Sequence, residues 1–338
     1  MKKALSILLA IFMLAGLLLT GCGGGASPGS DSGMGGKKIK VVLLAHGGLG
    51  DRSFNDSAWA GVQKAEKDFG VEISVLEPKT AAEYGTALVS AVNSGADLIL
   101  GFSNAWADPF KEYCEKYPEV YFGGLNAKGV AADNLSMAVT SDHEGSFLAG
   151  ALAAMMSKTG TIGAIGGQES DNINRFLVGY EEGAKYINKD IKVLKSYAGS
   201  FTDPAKGKEF ALQLMNQGAD IIYQVASKTG EGVFEAAKEN DNLYAIGADS
   251  DQDYIAEGKI LTSMIKNCDV IAYNMIKSVV EDNFKAGDII YNVGNDGVGL
   301  SAMTYTKDLI GADNLKKLDD IKAKIASGEI KVTDVFEK

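Results

Sequence analysis

The chain contains 338 residues, of which 46% are hydrophobic and 23% charged, and these proportions exclude a disordered chain, a fibre and a coiled coil. The formal net charge of −11 argues against nucleic-acid binding, because phosphate groups are neutralised by clusters of Lys and Arg. Two histidines and three cysteines are too few to favour a structural zinc site or a disulfide framework. We therefore expect a globular protein without a metal ion.

Residues 1–21 have the features of a bacterial lipoprotein signal peptide. Lys2 and Lys3 precede an uncharged, largely apolar run over residues 4–19, which is shorter than the roughly 20 residues of a membrane-spanning helix. The run ends in Leu-Thr-Gly-Cys, which resembles the lipobox in which Cys22 is acylated and becomes the mature N-terminus. The alternative is an ordinary signal peptide followed by a chance cysteine.

The segment that follows the signal peptide predicts a tether. Residues 22–37 are rich in Gly and Ser and cannot bury a core, so they are typical of a flexible linker. We expect the mature protein to be held at the cell membrane by lipid on Cys22 and to face the extracytoplasmic side.

From residue 38 onward, short apolar strands alternate with amphipathic helices. Two runs of this alternation, separated near residues 137–139, predict two parallel, doubly wound lobes of the α/β class. The predicted strands are 39–44, 73–76, 97–100, 120–122, 162–165, 191–197, 221–225 and 244–246. The predicted helices are 54–69, 81–92, 108–117, 145–156, 175–187, 205–216, 232–238 and a closing helix around 315–325.

Ligands of such sheets bind beyond the carboxyl ends of the strands. The loop after the first predicted strand carries a carboxylate, an aromatic ring and an amide, namely Asp51, Phe54 and Asn55, beside the start of a helix. The alternative for this loop is local capping, in which Asp51 or Ser53 accepts hydrogen bonds from the helix and Phe54 joins the core.

The enzyme motifs that we considered do not fit the chain. Gly48 and Gly50 lack the third glycine of a dinucleotide fingerprint, because Ser53 occupies its position. Residues 101–105 resemble a nucleophile elbow, but the one histidine that follows is His143, next to Asp142, and adjacent side chains of an extended segment point apart. We therefore predict that the protein is not an enzyme.

The segment Asp51-Arg52-Ser53-Phe54-Asn55, together with Ala58 and Gly61, resembles the D-x-S-F-N-x-x-A-x-x-G motif of the basic membrane protein family. These are lipid-anchored substrate-binding proteins of ABC importers, and purine nucleoside receptors are their best-known branch. Further matching segments follow in order: 144–150, 163–167, 175–179, 197–201, 203–207, 218–220, 223–226, 229–233, 246–252, 262–266 and 297–298.

The resemblance implies a type I periplasmic-binding-protein fold, with two Rossmann-like lobes joined by three crossings and a ligand cleft between them. We expect an N-terminal lobe of residues 38–141 plus 267–288 and a C-terminal lobe of residues 142–266 plus 289–338. The implied function is to capture a nucleoside, in particular a purine nucleoside, and to deliver it to an ABC permease. We expect a monomer without a cofactor whose lobes close by a hinge.

By the same resemblance, Phe54 and Phe176 would hold the base between their rings, and Asp51 and Asn55 would line the N-terminal wall. Aromatic rings stack on any base, and each stacked base gains about 1–3 kcal/mol.

The sugar would be held by other groups. By resemblance, the carboxylate of Asp249 would accept hydrogen bonds from the ribose hydroxyls, supported by Lys266 and the backbone of Gly230. Two residues depart from the pattern. Asn126 stands where nucleoside receptors usually carry an Asp that reads the base edge, and His46 stands where the family often has a small hydroxyl residue.

Two alternatives to a nucleoside receptor remain. One is a receptor of the same fold for a flavin or a sugar. The other is a surface enzyme that cleaves nucleosides, which incubation with nucleosides would reveal as free base.

We predict that Cys22→Ser blocks processing at the lipobox, because a hydroxyl cannot form the thioether to diacylglycerol. The variant should then be released or retained as a precursor of a different size. Mass spectrometry and detergent-phase partitioning of both forms measure this, and an unchanged mass and partitioning in the variant would contradict lipid attachment at Cys22.

Overall fold

The computed structural model describes residues 38–50, 54–126 and 129–337. The predicted signal peptide, the tether and Asp51 lie outside these residues. Within them, no helix has the length and apolar character to cross a membrane.

The described residues form two six-stranded sheets with helices packed on them. The strands are β1 Lys40–Leu44, β2 Glu72–Leu76, β3 Leu98–Gly101, β4 Tyr121–Leu125, β5 Leu135–Thr140, β6 Thr161–Gly166, β7 Lys192–Tyr197, β8 Ile221–Val225, β9 Tyr244–Asp249, β10 Ile260–Lys266, β11 Gly287–Tyr291 and β12 Val298–Leu300. The α-helices are α1 Phe54–Phe69, α2 Tyr84–Asn93, α3 Ala107–Lys116, α4 Asp142–Met156, α5 Asp171–Ile187, α6 Pro204–Asn216, α7 Glu231–Glu239, α8 Cys268–Val280, α9 Lys307–Ile310 and α10 Ala312–Ala326.

The first sheet has the order β11-β5-β4-β3-β1-β2 and the second the order β12-β10-β9-β8-β6-β7. Within the described residues all neighbouring strands run parallel except β10 and β12. Strands such as β1 and β8 are apolar along nearly their whole length because helices cover both faces of the sheet. The predicted class, a doubly wound α/β fold with two lobes, is confirmed.

The chain passes between the two sheets three times. It leaves the first sheet after β5, returns between β10 and β11, and leaves again between β11 and β12. All five residues of β11 pair with β5, so the expected change of lobe after residue 288 falls inside a continuous strand of the first sheet. The helix that precedes β11, α8, packs on α1, and its Cys268 is buried there.

Four strands, β5, β10, β11 and β12, were not in the predicted set, although residues 137–139 of β5 were recognised as the place where the pattern restarts. The strand β10 carries Thr262, Ser263 and Lys266, which weaken its apolar pattern, and β11 and β12 are short strands at the sheet edges. Three predicted helices also differ at their starts: residues 81–83 form a 3₁₀ turn before α2, α4 begins at residue 142 and α5 at residue 171.

The helices α4 and α5 pack unusually closely at the centre of the second lobe. Most of α4 is buried, which is typical of a helix that is hydrophobic around its whole circumference. Glycines line the contact, and a Cβ atom at Gly150 would collide with the carbonyl oxygen of Tyr180. Gly179 and Gly183 likewise lie against the α4 backbone. These contacts place the middle of α5 against the first half of α4, which begins at Asp142.

We predict that Gly150→Ala lowers the free energy of unfolding by about 1–3 kcal/mol, because the added methyl forces two backbones apart. Gly85→Ala in α2 is the matched control, since its Cβ would meet only the Tyr113 hydroxyl, at 3.1 Å. The control should change stability by less than about 1 kcal/mol. Denaturant unfolding of both variants tests this, and equal effects would contradict a tight α4–α5 contact.

Candidate functional site

The loop after β1 is held in place by the side chain of Asn55. Its amide nitrogen donates hydrogen bonds to the carbonyl oxygens of His46, at 3.0 Å, and Gly48, at 3.2 Å. Only 2% of Asn55 is exposed. Phe54 begins α1 half-buried and packs on the core of the first lobe. Asn55 therefore fixes the shape of the loop that carries the predicted N-terminal wall.

The side chain of Asn126, which directly follows β4, forms two hydrogen bonds with Thr140 at the end of β5. Its Oδ1 accepts from the backbone nitrogen of Thr140, and its Nδ2 donates to Thr140 Oγ1, both at 2.9 Å. Thr140 Oγ1 in turn donates to Asp142 Oδ1 at 2.7 Å. Thr140 and Asp142 are almost completely buried, so this chain of hydrogen bonds is shielded from water.

Lys266, at the end of β10, brings three of the predicted residues together. Its Nζ lies 3.3 Å from Asp249 Oδ1, 3.5 Å from Asp142 Oδ2 and 4.8 Å from the ring centre of Phe176. Burial alone would lower the pKa of Lys266, but the two carboxylates outweigh it and hold this pKa above its usual value. The structure therefore places a permanent cation beside a carboxylate and an aromatic ring.

Two buried glutamines connect Gly230 with the strand end that carries Asp249. A Cβ at Gly230, which precedes α7, would collide with the side-chain oxygen of Gln224. Gln224 Nε2 donates to Gln252 Oε1 at 2.8 Å, and that oxygen also accepts from the nitrogen of Ala248 at 3.1 Å. Asp249 itself has a left-handed backbone, with φ of 70°. The glutamine pair therefore links Gly230 to the end of β9 that carries Asp249.

A cluster of charges around Arg175 closes the site on the side of α5. The guanidinium donates to both carboxylate oxygens of Asp334, at 2.9 and 2.8 Å, and lies 3.6 Å from Asp142. His143 Nδ1 is 3.2 Å from Nη2, and burial, followed by the charge of Arg175, lowers the pKa of His143. The ring of Phe336 lies 4.4 Å from the guanidinium carbon. The C-terminal segment is thereby attached to the helix that carries Phe176.

A cavity of about 530 Å³ lies beside Asn126. Its walls come from Val139 and Asp288 of the first sheet, the loop at 129–131, and Phe336 of the C-terminal segment. The C-terminal segment therefore shares this cavity with the first sheet and with Asn126.

Four further residues take part in the site without having been predicted there: Thr140, Asp142, Gln224 and Gln252. The available signal was the position of Asp142 just after a strand, but only residues 137–139 of β5 were recognised.

Trp106 is fully buried against Tyr84. Within the described ranges, no group of three His, Cys, Asp or Glu residues could hold a metal ion.

Comparison with known proteins gives a consistent set of relatives. A family model described as ABC transporter substrate-binding protein PnrA-like matches residues 38–335. The chain is 34% identical to the ABC transporter nucleoside-binding protein BmpA of Lactococcus lactis, covering 96% of this chain and 99% of that protein. It is 32% identical to basic membrane protein A of Borreliella burgdorferi, covering 96% and 94%.

Solved structures agree with the observed architecture. An ABC transporter solute-binding protein from Aeropyrum pernix is 29% identical, with a TM-score of 0.78 over 88% of this chain and 94% of that one. A solute-binding protein from Conexibacter woesei, 21% identical with a TM-score of 0.77, shares the fold. The resemblance noted in the sequence is confirmed: the chain belongs to the basic membrane protein family of ABC transporter substrate-binding proteins.

Proposed function

We propose that the protein is a lipid-anchored, extracytoplasmic receptor that binds a purine nucleoside and delivers it to an ABC importer. The observation that carries the proposal is the placement of Lys266 between Asp249 and Asp142, over the ring of Phe176. A relative with 34% identity is named a nucleoside-binding protein, which supports the same ligand class.

The sugar is bound by Asp249 in this proposal. A carboxylate accepts hydrogen bonds from two vicinal hydroxyls at once, and charge-assisted bonds of this kind are about twice as strong as neutral ones. Lys266 holds the carboxylate in place through its contact at 3.3 Å and can itself donate to the sugar. The Gln224–Gln252 pair links Gly230 to the end of β9 that carries Asp249, so that its backbone faces the same ligand.

The base is held by aromatic rings, with Phe54 contributed by the first lobe and Phe176 by the second. Phe54 is half-buried at the start of α1, and Phe176 is 4% exposed beside the Lys266 ammonium. Asp51 and the loop fixed by Asn55 complete the N-terminal wall, and Asn126 contacts the base edge. The two lobes are connected by three crossings of the chain and close on the ligand by a hinge. The protein acts as a monomer, and the permease recognises its closed form.

We expect Asp249→Ala to weaken ribonucleoside binding more than tenfold, because hydrogen bonds to a charged acceptor contribute about 1.5–3 kcal/mol. A 2′,3′-dideoxynucleoside should bind weakly to the wild type and lose little more in the variant. Asp241→Ala is the control, since Asp241 is exposed near the opposite end of the same strand. Calorimetric titration measures all three proteins. Equal wild-type affinity for ribo- and dideoxynucleosides would remove Asp249 from the site.

The stacking of the base on Phe54 can be tested by comparing the phenylalanines at the two ends of α1. Phe54→Ala should weaken nucleoside binding by about 1–3 kcal/mol, the contribution of one stacked base. Phe69→Ala is the matched control, because Phe69 is also partly buried against the same core but at the far end of the helix. Both variants should lose thermal stability, but only Phe54→Ala should lose affinity. Equal affinities of the two variants would show that Phe54 is a core residue only.

A further inference from the structure

The direction of the Asn126 amide is determined by its neighbours. The backbone N–H of Thr140 can only donate, so the atom that faces it at 2.9 Å is Oδ1. Thr140 Oγ1 donates its proton to the carboxylate of Asp142, which only accepts, so this hydroxyl can only accept from Asn126. Two independent contacts therefore agree that Nδ2 faces the hydroxyl.

The Asp142 carboxylate and the Thr140 hydroxyl, which together orient the Asn126 amide, are both buried. Asp142 is 3% exposed and lies 3.5 Å from Lys266 and 3.6 Å from Arg175, so two cations stabilise its negative charge. Thr140 is completely buried in β5, whose register is set by β4 and β11 on either side. Because water does not reach the hydroxyl, Asp142 and Asn126 are its partners in the described structure.

The two contacts also occupy one particular edge of the amide. The nitrogen and the hydroxyl of Thr140 belong to the same residue and face Oδ1 and Nδ2 together. This is the edge at which an amide presents an acceptor beside a donor, and it is the edge that pairs with adenine when Asn reads DNA. The second N–H of Nδ2 and the second lone pair of Oδ1 point in different directions. A ligand atom that contacts Asn126 therefore meets either a donor or an acceptor, and which of the two it meets does not change.

We propose that Thr140 and Asp142 are positioning residues that make Asn126 discriminate between 6-amino and 6-oxo purine nucleosides. This inference rests on the proposed function. Adenine carries an acceptor at N1 and a donor at its 6-position, whereas hypoxanthine carries a donor at N1 and an acceptor at its 6-position. An amide that could turn over would serve both bases, but an amide of fixed direction satisfies only one of them.

Titration of the ligand-free protein with adenosine and inosine tests the proposal. The wild-type affinities should differ by more than tenfold. Thr140→Ser keeps the hydroxyl and should keep the ratio of the adenosine and inosine affinities. Thr140→Val should reduce this ratio by about fivefold, the equivalent of one hydrogen bond. The melting temperature of each variant shows whether it is folded. An equal loss of both affinities in Thr140→Val, or a wild-type ratio near one, would overturn the proposal.

A second measurement needs no ligand. The side-chain amide protons of Asn126 are assigned in ¹H–¹⁵N spectra by their absence in Asn126→Asp, and their hydrogen exchange is followed. Exchange should be slow in the wild type and in Thr140→Ser, and faster in Thr140→Val. If neither nucleoside binds the wild type, the proposed function fails, and the exchange rates still decide whether Thr140 fixes the amide. Equal rates in all three proteins would show that it does not.

Discussion

The candidate site depends on one buried carboxylate, that of Asp142, which lies between the cations of Lys266 and Arg175. Removing an ion from water costs several kcal/mol, and the cost is offset only when each charge is paired and hydrogen-bonded. Asp142 meets this condition, because Thr140 donates to one of its oxygens while the two cations face the other. The arrangement stands at the first residue of α4, where the chain leaves the first sheet for the second.

This position gives the carboxylate a connection to both lobes. On one side it reaches Asn126 of the first sheet through Thr140, and on the other it reaches Asp249 of the second sheet through Lys266. The groups proposed to contact the base and the sugar therefore belong to one electrostatic network. Interactions inside such a network are stronger than on the surface, because little water screens them.

The close packing of α4 on α5 in the second lobe positions the charged groups of this network. Gly150 and Gly183 allow α4 and α5 to touch backbone to backbone, which fixes Arg175 beside Asp142. The bidentate contact with Asp334 and the ring of Phe336 then hold the guanidinium from the C-terminal side. Arg175 is only 1% exposed, and its guanidinium can stay charged there because the carboxylates beside it balance its charge.

The amino-acid sequence by itself determined most of the regular elements, since hydrophobic periodicity reports which positions are buried, and α1 begins and ends where it was predicted. The family motif also singled out Phe176, Asp249 and Lys266, which the structure brings together. Only the tertiary structure decided which strands stand at the edges, that Asn55 turns to its own loop, and that Asp142 links the two walls. Those outcomes depend on partners that are distant in the chain, and local patterns carry no information about which partner a polar side chain meets.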